Sequence, residues 1–185
     1  AYAGKTSAGS DLFEEGFWYS DPKRIYCEST RSHNCVVIDG KNYQRKGVKP
    51  FGSALIDARE ENGMVVTDCE VWHFKTVKHR RRLVMKPGHF LLVLDWLYDR
   101  SGEQHEYVQR FIFDAPWQVA NEGKIVRAFH SGGKNMRGEE LGPLYLCVGT
   151  AFENAEIIPI VRGQEEPELL GWISDEPYSL IPACS

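Results

Sequence analysis

Short apolar segments separated by turn residues run along most of this chain. Glu61-Asn62-Gly63 is typical of a tight hairpin turn. From Asp68 to Phe74 polar and apolar residues mostly alternate, as in a strand with one solvated face. The chain holds about ten to twelve such short strands, with no convincing amphipathic helix and no internal repeat. This pattern predicts an all-β fold, an antiparallel two-sheet β-sandwich of the jelly-roll type.

Individual segments give more specific expectations. Residues 1–23 are predicted to form two short strands joined by a turn, and Ala155 to Val161 a further strand. His89 to Leu97 is the most apolar segment and is predicted to be a central strand. With 185 residues, 42% of them hydrophobic, the chain can bury a sizeable core, so residues 1–185 are expected to form one β-sandwich domain.

Charge and composition exclude some classes of protein. A net charge of −4 argues against a dedicated nucleic-acid binder. No apolar run reaches the roughly 18 residues that a membrane-spanning helix needs, and no signal peptide opens the chain. The opening Ala1-Tyr2-Ala3-Gly4 lacks a methionine, which is expected of a segment cut from a longer protein. The five cysteines include no C-x-x-C pair, so a zinc ribbon is not indicated and the redox compartment stays open.

Basic residues gather in two places despite the acidic net charge. One cluster is His79-Arg80-Arg81-Arg82, and the other consists of Lys41, Arg45, Lys46 and Lys49. Either cluster is suited to an anionic ligand. From the residues alone, the favoured interpretation of both clusters is that they lie on solvated strand faces and loops.

Three histidines are candidates for chemistry. His33 precedes the apolar strand Cys35–Ile38, and a carboxylate such as Asp11, Glu14 or Glu15 could join it in a zinc site that still needs a third ligand. From the residues alone, a structural role is the favoured interpretation of His33. His73 and His79 flank a predicted turn at residues 75–77 and can face each other across a hairpin, close enough to share a ligand. A surface ladder is the favoured interpretation of this pair.

Motif searches by themselves give no enzyme class. The chain has no G-x-S-x-G, P-loop, H-E-x-x-H or dinucleotide-binding glycine pattern. The residues alone therefore predict a β-sandwich with a few exposed histidines.

A family resemblance extends this result. The stretch Asp21-Pro22-Lys23-Arg24-Ile25-Tyr26 is followed by Ser29-Thr30-Arg31-Ser32-His33-Asn34-Cys35-Val36-Val37-Ile38-Asp39-Gly40. It resembles the Ser-x-x-His-Asn-x-Val-x-Val-Asp-Gly segment of the heparinase II/III-like polysaccharide lyases. Further segments agree in order and spacing: Trp72-His73-Phe74 with His79-Arg80-Arg81, then His89 to Asp95, then Gly171 to Ser174 with Tyr178 and Pro182.

The resemblance implies a function for the parent protein. In that family a helical toroid precedes a β-sandwich, and this chain resembles only the sandwich. The family's chemistry is β-elimination at a uronic acid of an acidic polysaccharide, with most catalytic groups supplied by the toroid. The resemblance therefore implies a periplasmic or secreted lyase whose toroid lies upstream, and a chain that is inactive by itself. The residues expected to contact the anionic glycan are His73, His79, Arg80 and Lys41.

The resemblance also implies a divalent metal such as zinc in some members. His33 matches one ligand of that site, and Glu14 or Glu15, before Gly16, matches the acidic ligand, although the family usually has Asp there. The remaining histidine ligand would precede Ala1. A different class of function stays open, a carbohydrate-binding or structural β-sandwich without catalysis, because β-sandwiches host many functions.

Overall fold

The computed structural model describes residues 20–43, 53–114, 117–134, 137–149, 154–174 and 179–185. The chain divides into two compact units. One consists of Ala1–Val37 with Tyr107–Ser185, and the other of Ile38–Glu106. The prediction of one domain over residues 1–185 stays a prediction. The predicted strands within residues 1–19 lie outside the described residues.

The four-stranded sheet of the second unit contains the longest strands described. Its strands are β2 (Ser53–Glu61), β3 (Met64–His73), β4 (Val77–Lys86) and β5 (Phe90–Asp99). They are antiparallel and lie in the order β2-β3-β4-β5, so each strand pairs with its neighbour in sequence. The predicted turn at Asn62-Gly63 is confirmed, and both residues have the positive φ that such a turn requires.

The most apolar strand lies at an edge of this sheet, contrary to the prediction of a central strand. Strand β5 pairs only with β4 among the described residues. Phe90, Leu91 and Leu92 are each about half exposed, so their apolar character does not reflect burial. The apolar content of a strand indicates how strongly its side chains favour burial. It does not determine the position of that strand in the order of the sheet.

Smaller antiparallel sheets make up the rest of the strands. The first unit contains a sheet of β7 (Gln118–Glu122), β8 (Ile125–His130) and β11 (Leu144–Gly149) in the order β11-β8-β7. Strand β1 (Val36–Ile38) pairs with β6 (Tyr107–Gln109). The remaining pairs join β9 (Gly133–Lys134) to β10 (Glu140–Leu141) and β12 (Trp172–Ile173) to β13 (Ile181–Pro182). The prediction of an all-β, sandwich-like fold of antiparallel sheets is confirmed.

One short helix was not predicted. Helix α1 (Pro22–Glu28) begins after Asp21, whose side chain accepts a hydrogen bond from the Lys23 amide at 2.8 Å. A 3-10 turn at Thr30–Ser32 follows. No helix in the described part of the chain has the length and apolarity needed to cross a bilayer.

Ala155 to Val161 is not a strand, which corrects another prediction. Pro159 interrupts the segment and has no amide hydrogen to donate to a neighbouring strand. None of the five cysteines forms a disulfide, and only Cys184 is buried.

Candidate functional site

The two faces of the β2–β5 sheet carry different chemistry near the β3–β4 turn. Side chains alternate between faces along a strand, and residues paired across neighbouring antiparallel strands share a face. The register pairs Cys69 with Arg81 and Arg81 with Asp95, and it pairs Trp72 with Lys78 and Lys78 with Tyr98. We call the face with Cys69, Arg81 and Asp95 the histidine face, and the face with Trp72, Lys78 and Tyr98 the aromatic face. The histidine face carries His73, His79, Arg81 and Asp95, and the aromatic face carries Trp72, Lys78, Arg80, Trp96 and Tyr98.

The two histidines predicted to face each other do so. His73 Nε2 lies 3.3 Å from His79 Nδ1, and the two ring centroids are 5.5 Å apart. The favoured interpretation of a surface ladder is wrong, because both residues are only 6% exposed. Both imidazoles are mostly buried. The predicted contact of these histidines with a glycan stays a prediction.

Asp95 connects this pair to an arginine. Its Oδ1 lies 2.7 Å from His79 Nε2, and its two oxygens accept bonds from Arg81 Nε at 2.7 Å and Arg81 Nη2 at 2.9 Å. Burial alone would raise the pKa of Asp95, but the hydrogen bonds from His79 and Arg81 outweigh burial and hold that pKa well below its usual range. Asp95 is therefore an ionised acceptor, and His79 Nε2 carries the proton that it shares with the carboxylate.

The ionised carboxylate determines how the protons of both imidazoles are arranged. A neutral imidazole has one N–H donor and one acceptor nitrogen. When His79 is neutral and donates from Nε2, its Nδ1 is the acceptor, so His73 must donate from Nε2. The remaining nitrogen, His73 Nδ1, then carries the lone pair. Burial, and to a lesser extent repulsion from His79, lower the pKa of His73 to about 4, so this imidazole is neutral at pH 7.

An aromatic ring packs on His73 at the outer end of this chain of contacts. Tyr43 stacks on the imidazole with centroids 3.7 Å apart and planes inclined by 16°. Phe74 lies beside both rings, at 6.4 Å from Tyr43 and 6.5 Å from His73. The ammonium of Lys41 is 5.9 Å from the centre of the Phe74 ring.

Lys41 is held near this end by a turn at Asp39-Gly40, where both residues have a positive φ. The Lys41 ammonium pairs with Asp39 Oδ2 at 3.2 Å and is still 63% exposed. His105 Nδ1 lies 2.9 Å from the same Asp39 oxygen. The hydrogen bond from His105 holds the pKa of Asp39 at about 2, and the same bond raises the pKa of His105. The other cations of the predicted second cluster, Arg45, Lys46 and Lys49, lie outside the described residues.

The aromatic face exposes large rings beside cations. Trp72, Trp96 and Tyr98 are 40%, 49% and 65% exposed. Trp96 and Tyr98 are two residues apart on β5 and hence about 7 Å apart along the strand. The side chain of Lys78 is 39% exposed and pairs with Glu70 at 2.8 Å. Arg100 packs over the Trp72 ring at 5.0 Å.

Arg80, the second predicted cation, lies on the aromatic face next to a buried carboxylate. Asp68 is 1% exposed and receives a two-point bond from Arg82, at 3.0 Å to Nε and 2.8 Å to Nη2. The bond from Arg82 lowers the pKa of Asp68 against the opposing effect of burial. Arg80 reaches the same carboxylate only at 3.3 Å, and its side chain is 43% exposed. The negative charge of Asp68 is thus largely engaged by Arg82, which leaves Arg80 available to solvent.

The residues predicted to bind a metal are only partly described. His33 is exposed, and it follows the 3-10 turn at Thr30–Ser32 and precedes β1. Glu14 and Glu15 lie outside the described residues. Within the described ranges, no group of three or more His, Cys, Asp or Glu side chains is arranged to hold a metal ion. The described donors alone do not make a zinc site, and zinc binding at His33 stays a prediction.

Sequence reasoning missed several residues of these two faces. Asp95 and Arg81 complete the histidine network, Tyr43 stacks on it, and Trp96 and Tyr98 dominate the aromatic face. The period-two pattern of β5 placed Trp96 and Tyr98 on one face and Asp95 on the other, and that signal was available. Comparison of the chain with protein-family models, curated proteins and solved structures found no match.

Proposed function

We propose that this chain is an acidic-polysaccharide-binding β-sandwich, and that it forms the C-terminal part of a heparinase II/III-like lyase. The observation that supports glycan binding is the aromatic face, where Trp96 and Tyr98 are exposed beside Lys78 and Arg80. The lyase assignment comes from the sequence resemblance around Ser29–Gly40 and the segments that follow it in the same order.

Neighbouring exposed aromatic rings are energetically unfavourable in water unless a ligand or a partner covers them. The C–H groups of a sugar ring carry partial positive charge, and they pack against the electron-rich face of an aromatic ring. Trp96 and Tyr98, about 7 Å apart along β5, can each receive one sugar of a short oligosaccharide. Trp72 lies on β3, two strands from β5, and is therefore about 10 Å from the β5 rings across the sheet. It widens the exposed aromatic surface.

The charge of the aromatic face favours an anionic glycan over a neutral one. Among the described residues, the aromatic face near the β3–β4 turn has four cations and three carboxylates, although the chain as a whole is acidic. The cations are Lys78, Arg80, Arg82 and, packed over Trp72, Arg100, and the carboxylates are Asp57, Asp68 and Glu70. Arginine and lysine recognise carboxylate and sulfate groups by charge-assisted hydrogen bonds. The uronate carboxylates of an acidic polysaccharide supply such partners.

In the proposed reaction of the parent protein, this chain has one limited role. In β-elimination a base removes the C5 proton of the uronate, the bond to the leaving oxygen breaks, and that oxygen takes up a proton. A cation that neutralises the uronate carboxylate makes the C5 proton more acidic. Arg80 and Lys41 are the exposed cations of this chain that we assign to the glycan carboxylates.

Binding to immobilised or soluble polysaccharides tests the glycan part of the proposal. We expect the chain to bind uronate polymers, such as alginate and heparan-type chains, more tightly than neutral cellulose oligosaccharides. The Trp96→Ala and Tyr98→Ala double variant should lose at least about tenfold in affinity, or about 1.4 kcal/mol. Tyr145→Ala is the matched control, because Tyr145 is 76% exposed on β11, in the other unit. Equal binding by the double variant and the wild type would refute this surface.

A separate assay distinguishes the lyase from a carbohydrate-binding module without catalysis. The full-length parent should release products with the ultraviolet absorbance of an unsaturated uronate, whereas this chain alone should bind and not cleave. Absence of turnover by the full-length protein across a panel of uronate polymers would favour the non-catalytic alternative. Zinc content of wild type and His33→Ala, measured on the same full-length protein, tests the metal prediction.

A further inference from the structure

The histidine network ends at a nitrogen that the proposed function does not use. Arg81 and Asp95 anchor one end of the network, and His73 Nδ1 is the other end. This nitrogen has no hydrogen-bond partner among the described residues. It is also absent from their fully buried side-chain atoms that lack a partner. Tyr43 covers one flat side of the imidazole. The Nδ1 lone pair lies in the plane of the ring, so the stacked Tyr43 ring does not cover it.

The rings and the cation near His73 are separated from one another by about the width of one sugar ring. Tyr43 supplies a flat ring with a hydroxyl group, and Phe74 lies beside it at 6.4 Å. Lys41 supplies an exposed ammonium 5.9 Å from the Phe74 ring. The outer end of the histidine face therefore combines an acceptor nitrogen, an aromatic surface and a cation.

The chemistry of the network favours binding over proton abstraction. A base works best when its pKa is near the working pH. With a pKa of about 4, the His73 imidazole is too weakly basic to remove a proton from carbon at neutral pH. It is well suited to accept a hydrogen bond, because it stays uncharged and the network fixes which nitrogen carries the lone pair.

We propose that His73 Nδ1, Tyr43 and Lys41 form a second glycan-binding subsite on the histidine face, where the imidazole accepts a hydrogen bond from a sugar hydroxyl and the ammonium of Lys41 pairs with a uronate carboxylate. The ligand class rests on the proposed function. His79, Asp95 and Arg81 are positioning residues, since they act by fixing the tautomer of His73. The subsite lies on the opposite face of the sheet from Trp96 and Tyr98.

The tautomer of His73 can be measured without any variant or ligand. Long-range proton–nitrogen NMR of the isotope-labelled wild-type protein, at about pH 8 where a free imidazole is neutral, should show a protonated Nε2 and a bare Nδ1 for His73. The isosteric Asp95→Asn variant removes the negative charge that holds His79, so the two His73 tautomers should become mixed. A proton on Nδ1 of His73 in the wild type would overturn the proposal, even if Asp95→Asn failed to fold.

Titration with a glucuronate-containing disaccharide tests the ligand. We expect the Nδ1 resonance of His73 to shift on binding, and cellobiose, which has no carboxylate, to shift it much less. His73→Phe preserves the stack on Tyr43 and removes the acceptor, so affinity should fall about three- to tenfold, as expected for one hydrogen bond. His89→Phe is the matched control, because His89 is exposed in the β4–β5 turn.

The two proposals fail in different ways. If the disaccharide leaves His73 unmoved while the aromatic-face double variant still weakens polymer binding, the second subsite is refuted and the proposed function stands. If the disaccharide shifts Nδ1 while that double variant binds polymer normally, the subsite stands and the aromatic face is refuted. A shift that persists in Lys41→Met would remove Lys41 from the subsite and refute the carboxylate contact.

Discussion

Replacing His73 by phenylalanine should change how the stability of this protein depends on pH. The imidazole is 6% exposed and its pKa is lowered to about 4, against about 6.5 in an unfolded chain. Above pH 6.5 the group is neutral in both states and adds no pH dependence. As the pH falls below 6.5 the unfolded chain takes up a proton that the folded chain does not, so acid favours unfolding.

The size of the effect follows from the difference between the two pKa values. Each pH unit in the window costs about 1.4 kcal/mol of unfolding free energy, which gives about 2 kcal/mol at pH 5 and about 3 kcal/mol at pH 4. Asp95 and His105 contribute to the pH dependence of stability in other pH ranges. The contribution of Asp95, whose pKa is lowered, is lost as the pH falls below its unfolded value of about 3.9. His105, whose pKa is raised, contributes stability below about 6.5 that is lost as the pH rises through its folded pKa.

Urea denaturation of wild type and His73→Phe between pH 7.5 and pH 4 measures this contribution. The phenylalanine keeps the stack on Tyr43 but leaves the acceptor Nδ1 of a neutral His79 without its donor, which costs about 1 kcal/mol at pH 7.5. The variant should therefore be less stable at pH 7.5, and the difference should shrink or reverse by pH 4. His89→Phe should follow the wild-type curve. Parallel curves for wild type and His73→Phe over the window would refute the reasoning.

Two further substitutions test the packing and the ion pairs. Gly171 has a positive φ, and an added Cβ would lie 2.7 and 2.8 Å from two backbone carbonyl oxygens. Gly63 has nearly the same φ and open space around it, so thermal denaturation should show a larger loss for Gly171→Ala than for Gly63→Ala, and equal losses would contradict the contact. Arg81→Lys keeps the charge but cannot make two parallel bonds to Asp95, so urea denaturation should show a loss of about 1–2 kcal/mol. Arg80→Lys, at a longer and more exposed contact, should lose less, and the reverse order would contradict the assigned geometry.

Local patterns predicted much of the four-stranded sheet. The Asn62-Gly63 turn and the alternation after Asp68 determine the β2–β3 hairpin, because both signals come from residues close together in the chain. The short predicted turn at residues 75–77 placed His73 and His79 on neighbouring strands, where they are diagonal neighbours on one face. Their burial was not predicted, since it depends on Tyr43 and Asp95, whose approach is set by tertiary packing.

The sequence signals for the short helix α1 and for the exposed side chains of β5 were weak or misleading. Asp21-Pro22 is an N-cap followed by a proline at the first helical position, which favours a helix start, yet a helix of seven residues has too little periodicity to be seen in the pattern. The apolar character of β5 suggested a buried central strand. In the structure its Trp96 and Tyr98 side chains are exposed, because a row of large apolar groups can form a surface for a ligand as well as a core.

The edge position of β5 has a consequence for handling the protein. Among the described strands only β4 pairs with β5, so this ten-residue strand offers a row of backbone donors and acceptors on its other side, and the half-exposed Phe90, Leu91 and Leu92 add an apolar surface beside them. Such an edge is a template for pairing with a strand of another molecule, which leads to aggregation. Concentrated samples should therefore self-associate through β5, and a charged residue at the exposed Leu91, as in Leu91→Lys, should improve solubility while leaving the aromatic face unchanged.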